Sequence, residues 1–264
     1  MTPPVMTSPV IRAQGLAQRF GARTIFRDVS LSVVPGEVFV ILGGSGCGKS
    51  TLMKQLIGLL TPTEGSIEIN GRTITGPGGA AELRAVRPGI GVMFQSGALL
   101  GSMTLLENVM LPIEMHTDLP RAARAAVARL KLGLVGLGDA AGLMPAEISG
   151  GMARRAGIAR ALALDPPLLF LDEPSAGLDP ITSAGLDRLI LDLREASGAT
   201  FVVVTHELAS ILNIADRCIM LDSHAHEDAG GVIAEGDPKR LRDESTHPTV
   251  HAFFRREVLV EAQP

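Results

Sequence analysis

The chain has 264 residues, 46% of them apolar and 20% charged, a balance that supports a large buried core and excludes global disorder. Its 24 basic and 28 acidic side chains leave a formal net charge of −4, which argues against nucleic acid as a partner held by charge alone. Two isolated cysteines, Cys47 and Cys218, suggest neither a disulfide framework nor a zinc site and fit a reducing, cytoplasmic setting.

Residues 1–9 read as a flexible leader that lacks the charged start and apolar stretch of a signal peptide. No apolar run approaches the roughly 18 residues that a membrane span needs. Short strands are predicted at Val10–Gln14, Thr24–Phe26, Ser30–Val34 and Glu37–Leu42. The last, Val38-Phe-Val-Ile-Leu42, is apolar throughout, as in a strand covered on both faces. A Gly-rich turn leads into a helix from about Lys49 to Leu60, and residues 65–76, around Asn70-Gly71, read as a hairpin. The strand Gly91–Phe94 delivers Gln95.

The next stretch is helical. Thr104 with Glu107 forms a capping box for a helix to about His116, Pro120 opens another to about Leu132, and Ser149 caps a third to about Leu164. Residues 97–165 therefore read as a helical subdomain set into an α/β sheet. The core resumes with Leu168–Leu171, a helix opened by Asp179-Pro180 and running to about Ala196, and the strand Phe201–Val204 with a helix after it. Arg217–Leu221 and Gly231–Glu235 close the sheet around a polar tip.

Gly43-Gly44-Ser45-Gly46-Cys47-Gly48-Lys49-Ser50, with Thr51 next, satisfies the P-loop pattern between a strand and a helix. Glycines let backbone N–H groups turn inward around phosphate oxygens, and the helix start adds its positive dipole end. Lys49 brings a full charge to the β- and γ-phosphates of a nucleotide, and the Ser50 hydroxyl suits Mg²⁺. A dinucleotide reading fails, because Lys49 stands where a third glycine is required. The strand Leu168-Leu-Phe-Leu171 ends in Asp172-Glu173: Asp172 suits Mg²⁺ held through water, and Glu173 suits a base for an attacking water. Standing alone, such a pair is also a common solvated turn. Ser149-Gly150-Gly151 at a helix N-terminus offers a hydroxyl and free amides to an anion, or simply caps the helix.

In this order these elements resemble the nucleotide-binding subunit of an ABC transporter over about residues 10–242. The resemblance implies a P-loop NTPase fold with a RecA-like core, an antiparallel β subdomain and an inserted helical subdomain. It implies ATP hydrolysis with Mg²⁺ in a head-to-tail dimer. Ser149, Gly150 and Gly151 would bind the γ-phosphate in trans, Asp179 would sit at the dimer seam, and His206 would hydrogen-bond the γ-phosphate and the attacking water. Gln95 would contact Mg²⁺ and sense the membrane partner. Phe20, where the family usually has Tyr, matches the aromatic that stacks on adenine, with core packing as the alternative. The signature ends in Met152 rather than the common Gln.

Met152-Ala-Arg-Arg155 resembles a narrower group, the ATPases of Mla/MCE-type lipid transporters, as do Leu105-Leu-Glu-Asn-Val-Met-Leu-Pro112 and the tail His247–Phe254. That implies phospholipid cargo moving between inner and outer membranes. It also implies integral membrane permease subunits, an MCE-type periplasmic component, and a place on the cytoplasmic face of the inner membrane. A transporter for small polar solutes and a soluble ABC ATPase are the alternatives. A DNA-maintenance ATPase of that class would need a long heptad-bearing insert, and a translation factor two cassettes; one P-loop and no such insert are present. Residues 243–264 form a tail in which Phe253 and Phe254 suggest a docking segment or pack on their own domain. Arg154 and Arg155 read as a solvated helix face, His224 and His226 as part of a solvated turn, and Cys47, at a helix start, as a readily alkylated thiol.

Overall fold

The computed structural model describes residues 8–257, so most of the expected leader and residues 258–264 of the tail lie outside it. In chain order the strands are β1 (Ile11–Phe20), β2 (Arg23–Val33), β3 (Val38–Gly43), β4 (Glu64–Ile69), β5 (Arg72–Thr73), β6 (Ile90–Met93), β7 (Leu168–Asp172), β8 (Thr200–Val204), β9 (Arg217–Asp222) and β10 (Gly231–Gly236). The helices are α1 (Lys49–Leu56), α2 (Gly79–Val86), α3 (Leu105–His116), α4 (Arg121–Leu134), α5 (Gly150–Ala161), α6 (Pro180–Ser197), α7 (Leu208–Ile214), α8 (Pro238–Glu244) and α9 (Pro248–Arg255).

Two sheets result. One is antiparallel, in the order β2-β1-β4-β5. The other runs β10-β9-β3-β8-β7-β6, parallel from β9 to β6, with β10 antiparallel at its edge. The apolar strands of the second sheet lie at its centre, because alternate residues feed different cores. Val38, Val40 and Leu42 pack into one cluster with α5 and α6, while Phe39 and Ile41 pack into the other with the antiparallel sheet and α1. Each such fully buried side chain contributes about 1.5–3 kcal/mol relative to exposure, so these strands anchor the loops that follow them.

α3 begins at the predicted capping box: Thr104 Oγ1 accepts from the Glu107 N–H at 3.2 Å, and a Glu107 carboxylate oxygen accepts from the Thr104 N–H at 2.9 Å. α3, α4 and α5 pack on one another, and buried Lys131 of α4 reaches Asp165. Other elements differ from expectation. β1 extends past Gln14 to Phe20, and β2 is one strand where two were expected, because register shifts absorb the polar interruptions. α1 stops at Leu56, and a segment rich in glycine and alanine hid the short helix α2. In the tail the structure agrees with the second of the two alternatives. α9 packs on its own domain, with Val250 and Phe254 in the larger core cluster and Phe253 partly buried beside it.

Candidate functional site

Parallel register brings four loops to one edge of the second sheet. Ile41 of β3 pairs with Val204 of β8, Val204 with Asp172 of β7, and Leu171 of β7 with Met93 of β6. The C-terminal ends of β3, β7, β8 and β6 therefore release the P-loop, Glu173, His206 and Gln95 side by side, the edge where open α/β sheets bind ligands.

The P-loop wraps the first turn of α1. Gly48, its N-cap, sits at φ 102°, and a Cβ there would come within 2.8 Å of the Phe26 ring, so no other residue fits without displacement. Lys49 is buried, and its Nζ donates to the carbonyls of Gly43 at 3.0 Å and Gly44 at 2.9 Å, which holds the charge across the loop mouth. Gly44, Ser45, Gly46 and Ser50 are exposed, and Thr51 is half-buried. Cys47 corrects an expectation: it is buried, and burial pushes its thiol pKa up more than the Lys49 charge lowers it, so ready alkylation is not expected.

Glu173 follows β7 in the left-handed region, φ 48°, with its N–H donating to the Val204 carbonyl at 2.8 Å. That backbone turn aims the side chain at His206, whose Nδ1 lies 2.8 Å from Glu173 Oε1. The His206 ring is half exposed and the Glu173 carboxylate is almost wholly buried. Glu173 Oε2 and Asp172 Oδ1 are buried with no hydrogen-bond partner among the described residues. Such atoms are costly unless something else meets them. Burial first, and then the charge of Glu173, raises the Asp172 pKa, while Lys54 and Lys49 lower it. Hard oxygen donors at Asp172 and Ser50, beside a lysine and a glycine-lined loop, suit Mg²⁺ and a polyphosphate.

Gln95 is exposed and opens a single turn, Gln95–Gly97, in which Ser96, Gly97 and then Ala98 take positive φ. This turn rests on α5, where Arg160 donates to the carbonyls of Gly97 at 2.9 Å and Ala98 at 2.8 Å. The N-terminus of α5 is exposed. Ser149 Oγ accepts from the Met152 N–H at 3.3 Å, and Ser149 and Gly150 are exposed beside the start of α6. Asp179 caps α6, with its Oδ1 accepting from the Ile181 and Thr182 N–H groups at 3.0 Å each. Phe20 stands 52% exposed at the end of β1, so it does not pack in the core. His224 lies exposed in the β9–β10 tip, and among the described residues no cluster suited to a metal forms there. Arg154 corrects the solvated-face expectation: it is buried and donates to the Ala176 carbonyl at 3.0 Å. Sequence reasoning missed Arg160 as well, since neither motif nor spacing reports which loop an arginine will hold.

A family model described as "ABC transporter" matches residues 26–176, more than half of the chain. The chain belongs to the ABC transporter family. The Escherichia coli intermembrane phospholipid transport system ATP-binding protein MlaF is 43% identical over 222 residues, 83% of this chain and 82% of that protein. The Mycobacterium tuberculosis probable ribonucleotide transport ATP-binding protein mkl is 46% identical over 211 residues, 80% of this chain, although this chain spans only 58% of that relative. Among solved structures, the dimeric post-hydrolysis state of the ATP-binding cassette MJ0796 bound to ADP and Pi superposes with a TM-score of 0.76 at 31% identity, covering 86% of this chain and 98% of that one. These cassettes share the mixed α/β fold with parallel and antiparallel sheets described above.

Proposed function

We propose that this chain is the ATP-hydrolysing subunit of an ABC transporter that drives phospholipid transport between inner and outer membranes. The observation that carries the enzymatic reading is the Glu173–His206 pair, 2.8 Å apart, on the edge that also presents Lys49. In this reading the P-loop amides of residues 43–51 hold the phosphates, and Lys49 exchanges its loop carbonyls for β- and γ-phosphate oxygens. Phe20 stacks on the adenine. Ser50, Gln95 and, through water, Asp172 would hold Mg²⁺, which offsets charge on the phosphates when bound. Glu173 accepts a proton from a water as its oxygen bonds to the γ-phosphorus and the bond to the ADP oxygen breaks. His206, fixed by Glu173, donates to the γ-phosphate.

Ser149, Gly150 and Gly151 of a second copy complete the site in trans, with Asp179 at the seam. The exposed α5 N-terminus and Ile181, 86% exposed beside Asp179, support a partner surface there. Residues 97–165 act as the helical subdomain that meets permease subunits, as the exposed Leu100, just after the Gln95 turn, and Met115 of α3 suggest. No described helix is long and apolar enough to cross a membrane, which fits a peripheral place on the inner membrane through those subunits. The phospholipid reading, and with it an MCE-type periplasmic partner, is supported by the likeness to MlaF over most of both chains.

Glu173→Gln should keep ATP affinity, lower turnover by at least roughly 100-fold and trap an ATP-bound dimer. Near-normal hydrolysis would remove Glu173 from the base role. Gentle extraction of the tagged protein from its host tests the cargo. A permease, an MCE-type component and bound phospholipid support it, and a solute-binding protein in their place overturns it.

A further inference from the structure

Arg154 lies on α5 yet spends its charge inside the protein. Its Nη2 donates to the Ala176 carbonyl at 3.0 Å, and its Nη1 is buried with no partner among the described residues. A packing role alone does not account for this, because an unpaired buried guanidinium nitrogen costs more free energy than an apolar side chain of similar volume. The loop it holds is the one that joins Glu173 to Asp179. Within that loop the Ala176 N–H donates to the Glu173 carbonyl at 3.3 Å, and the Leu178 N–H to the Ser175 carbonyl at 3.1 Å. On the far side Ser175 Oγ pairs with Ser210 Oγ of α7 at 3.3 Å.

The loop is thus held from two directions: by the fixed core through Ser175, and by the signature helix through Arg154. We infer that Arg154 is a positioning residue for ATP hydrolysis, coupling movement of α5 to the Glu173–Asp179 loop through the Ala176 carbonyl. This rests on the reading of Glu173 as the base. Burial lowers the Arg154 pKa and the charge of Glu173 pulls it back up, so the two groups also sense each other's field. Arg155, the next residue, is only half-buried and runs towards Gly136 and Gly185.

The test compares Arg154→Met and Arg154→Lys in the full-length chain by steady-state hydrolysis and by binding of a fluorescent ATP analogue. Arg154→Met should lower kcat about 10- to 100-fold while nucleotide affinity stays within about twofold, and Arg154→Lys, which keeps the charge and one donor, should fall between the two. A kcat for Arg154→Met within about threefold of the parent overturns the inference. So does a fall in kcat that Lys does not lessen and that tracks the melting temperature, the mark of a merely structural role. If Arg154→Met does not fold, Arg154→Lys decides: parental kcat overturns the inference, and a lowered kcat at unchanged affinity and melting temperature supports it. Glu173→Gln, measured alongside, separates the two ideas. Retained hydrolysis there removes the base, whereas inactive Glu173→Gln with fully active Arg154→Met removes only the strut.

Discussion

Gly97→Ala tests whether the Gln95 turn is held as tightly as its geometry implies. Gly97 sits at φ 78°, and a Cβ built on it lies 2.5 Å from the Ala153 carbonyl oxygen and 3.1 Å from its carbon. Both obstacles are backbone of α5 and cannot rotate away. Across the same contact, Gly157 brings its own Cβ position within 2.9 Å of Gly97 Cα, so the turn and the helix meet with no room for a methyl on either side. A left-handed alanine costs about 1 kcal/mol and forced overpacking about 1–3 kcal/mol, giving a loss of roughly 2–4 kcal/mol. At a urea slope near 3 kcal/mol per M, the unfolding midpoint should fall by about 1 M. Gly101→Ala is the control: its Cβ meets nothing within 4 Å, and its midpoint should not move. ATP affinity should persist in Gly97→Ala, because the P-loop is untouched, while turnover falls as Gln95 is pushed off its seat. A midpoint shift no larger than the control's would refute the tight-contact argument.

Two further outcomes rest on buried titratable groups. Burial raises the thiol pKa of Cys47 and pushes that of Cys218 up to about 12, so neither should react with a disulfide reagent at pH 8 in the native protein, and both should react once unfolded; a fast native thiol would contradict this. Asp187 of α6 has its pKa raised by burial, against the lowering effect of bonds from Ser210 and Asn213. Its folded value lies above the unfolded one, so its contribution favours folding at low pH and is lost as pH rises through those two values. Asp187→Asn should therefore gain stability relative to the parent between pH 4 and pH 7, and urea midpoints that differ equally at both pH values would count against the assignment.

Much of this architecture was legible because local and global signals agreed. The run Val38–Leu42 is buried on both faces, Thr104 with Glu107 caps α3, and Asp179-Pro180 opens α6. What was not legible came from packing at a distance. Register shifts let β1 and β2 run through polar residues, and α2 hid in a segment rich in glycine and alanine. The site divides in the same way. Lys49 opens α1, and Glu173, His206 and Gln95 lie just past strand ends, so their convergence follows from parallel register, but the 2.8 Å contact of His206 with Glu173 depends on a left-handed backbone at Glu173 that no spacing announces.

The arginines of α5 show why the failure fell where it did. A helix with one apolar stripe turns its charged residues to water, and that expectation placed Arg154 and Arg155 on a solvated face. α5 has no such stripe. Gly151, Arg154, Ala156, Gly157, Ile158, Ala159 and Ala161 are all buried, a set that encircles the axis, because β6, the Gln95 turn, α3, α4 and α6 surround the helix. Small residues let those neighbours approach, and the long side chains left among them find backbone carbonyls rather than solvent. Arg160 takes the turn after β6, and Arg154 takes the loop after β7. One helix, whose N-terminus is exposed, therefore grips two of the loops that carry the proposed chemistry. Rotating it as a unit would move both together, which is what a helix engaged by a second copy would need in order to report that engagement to the hydrolytic edge.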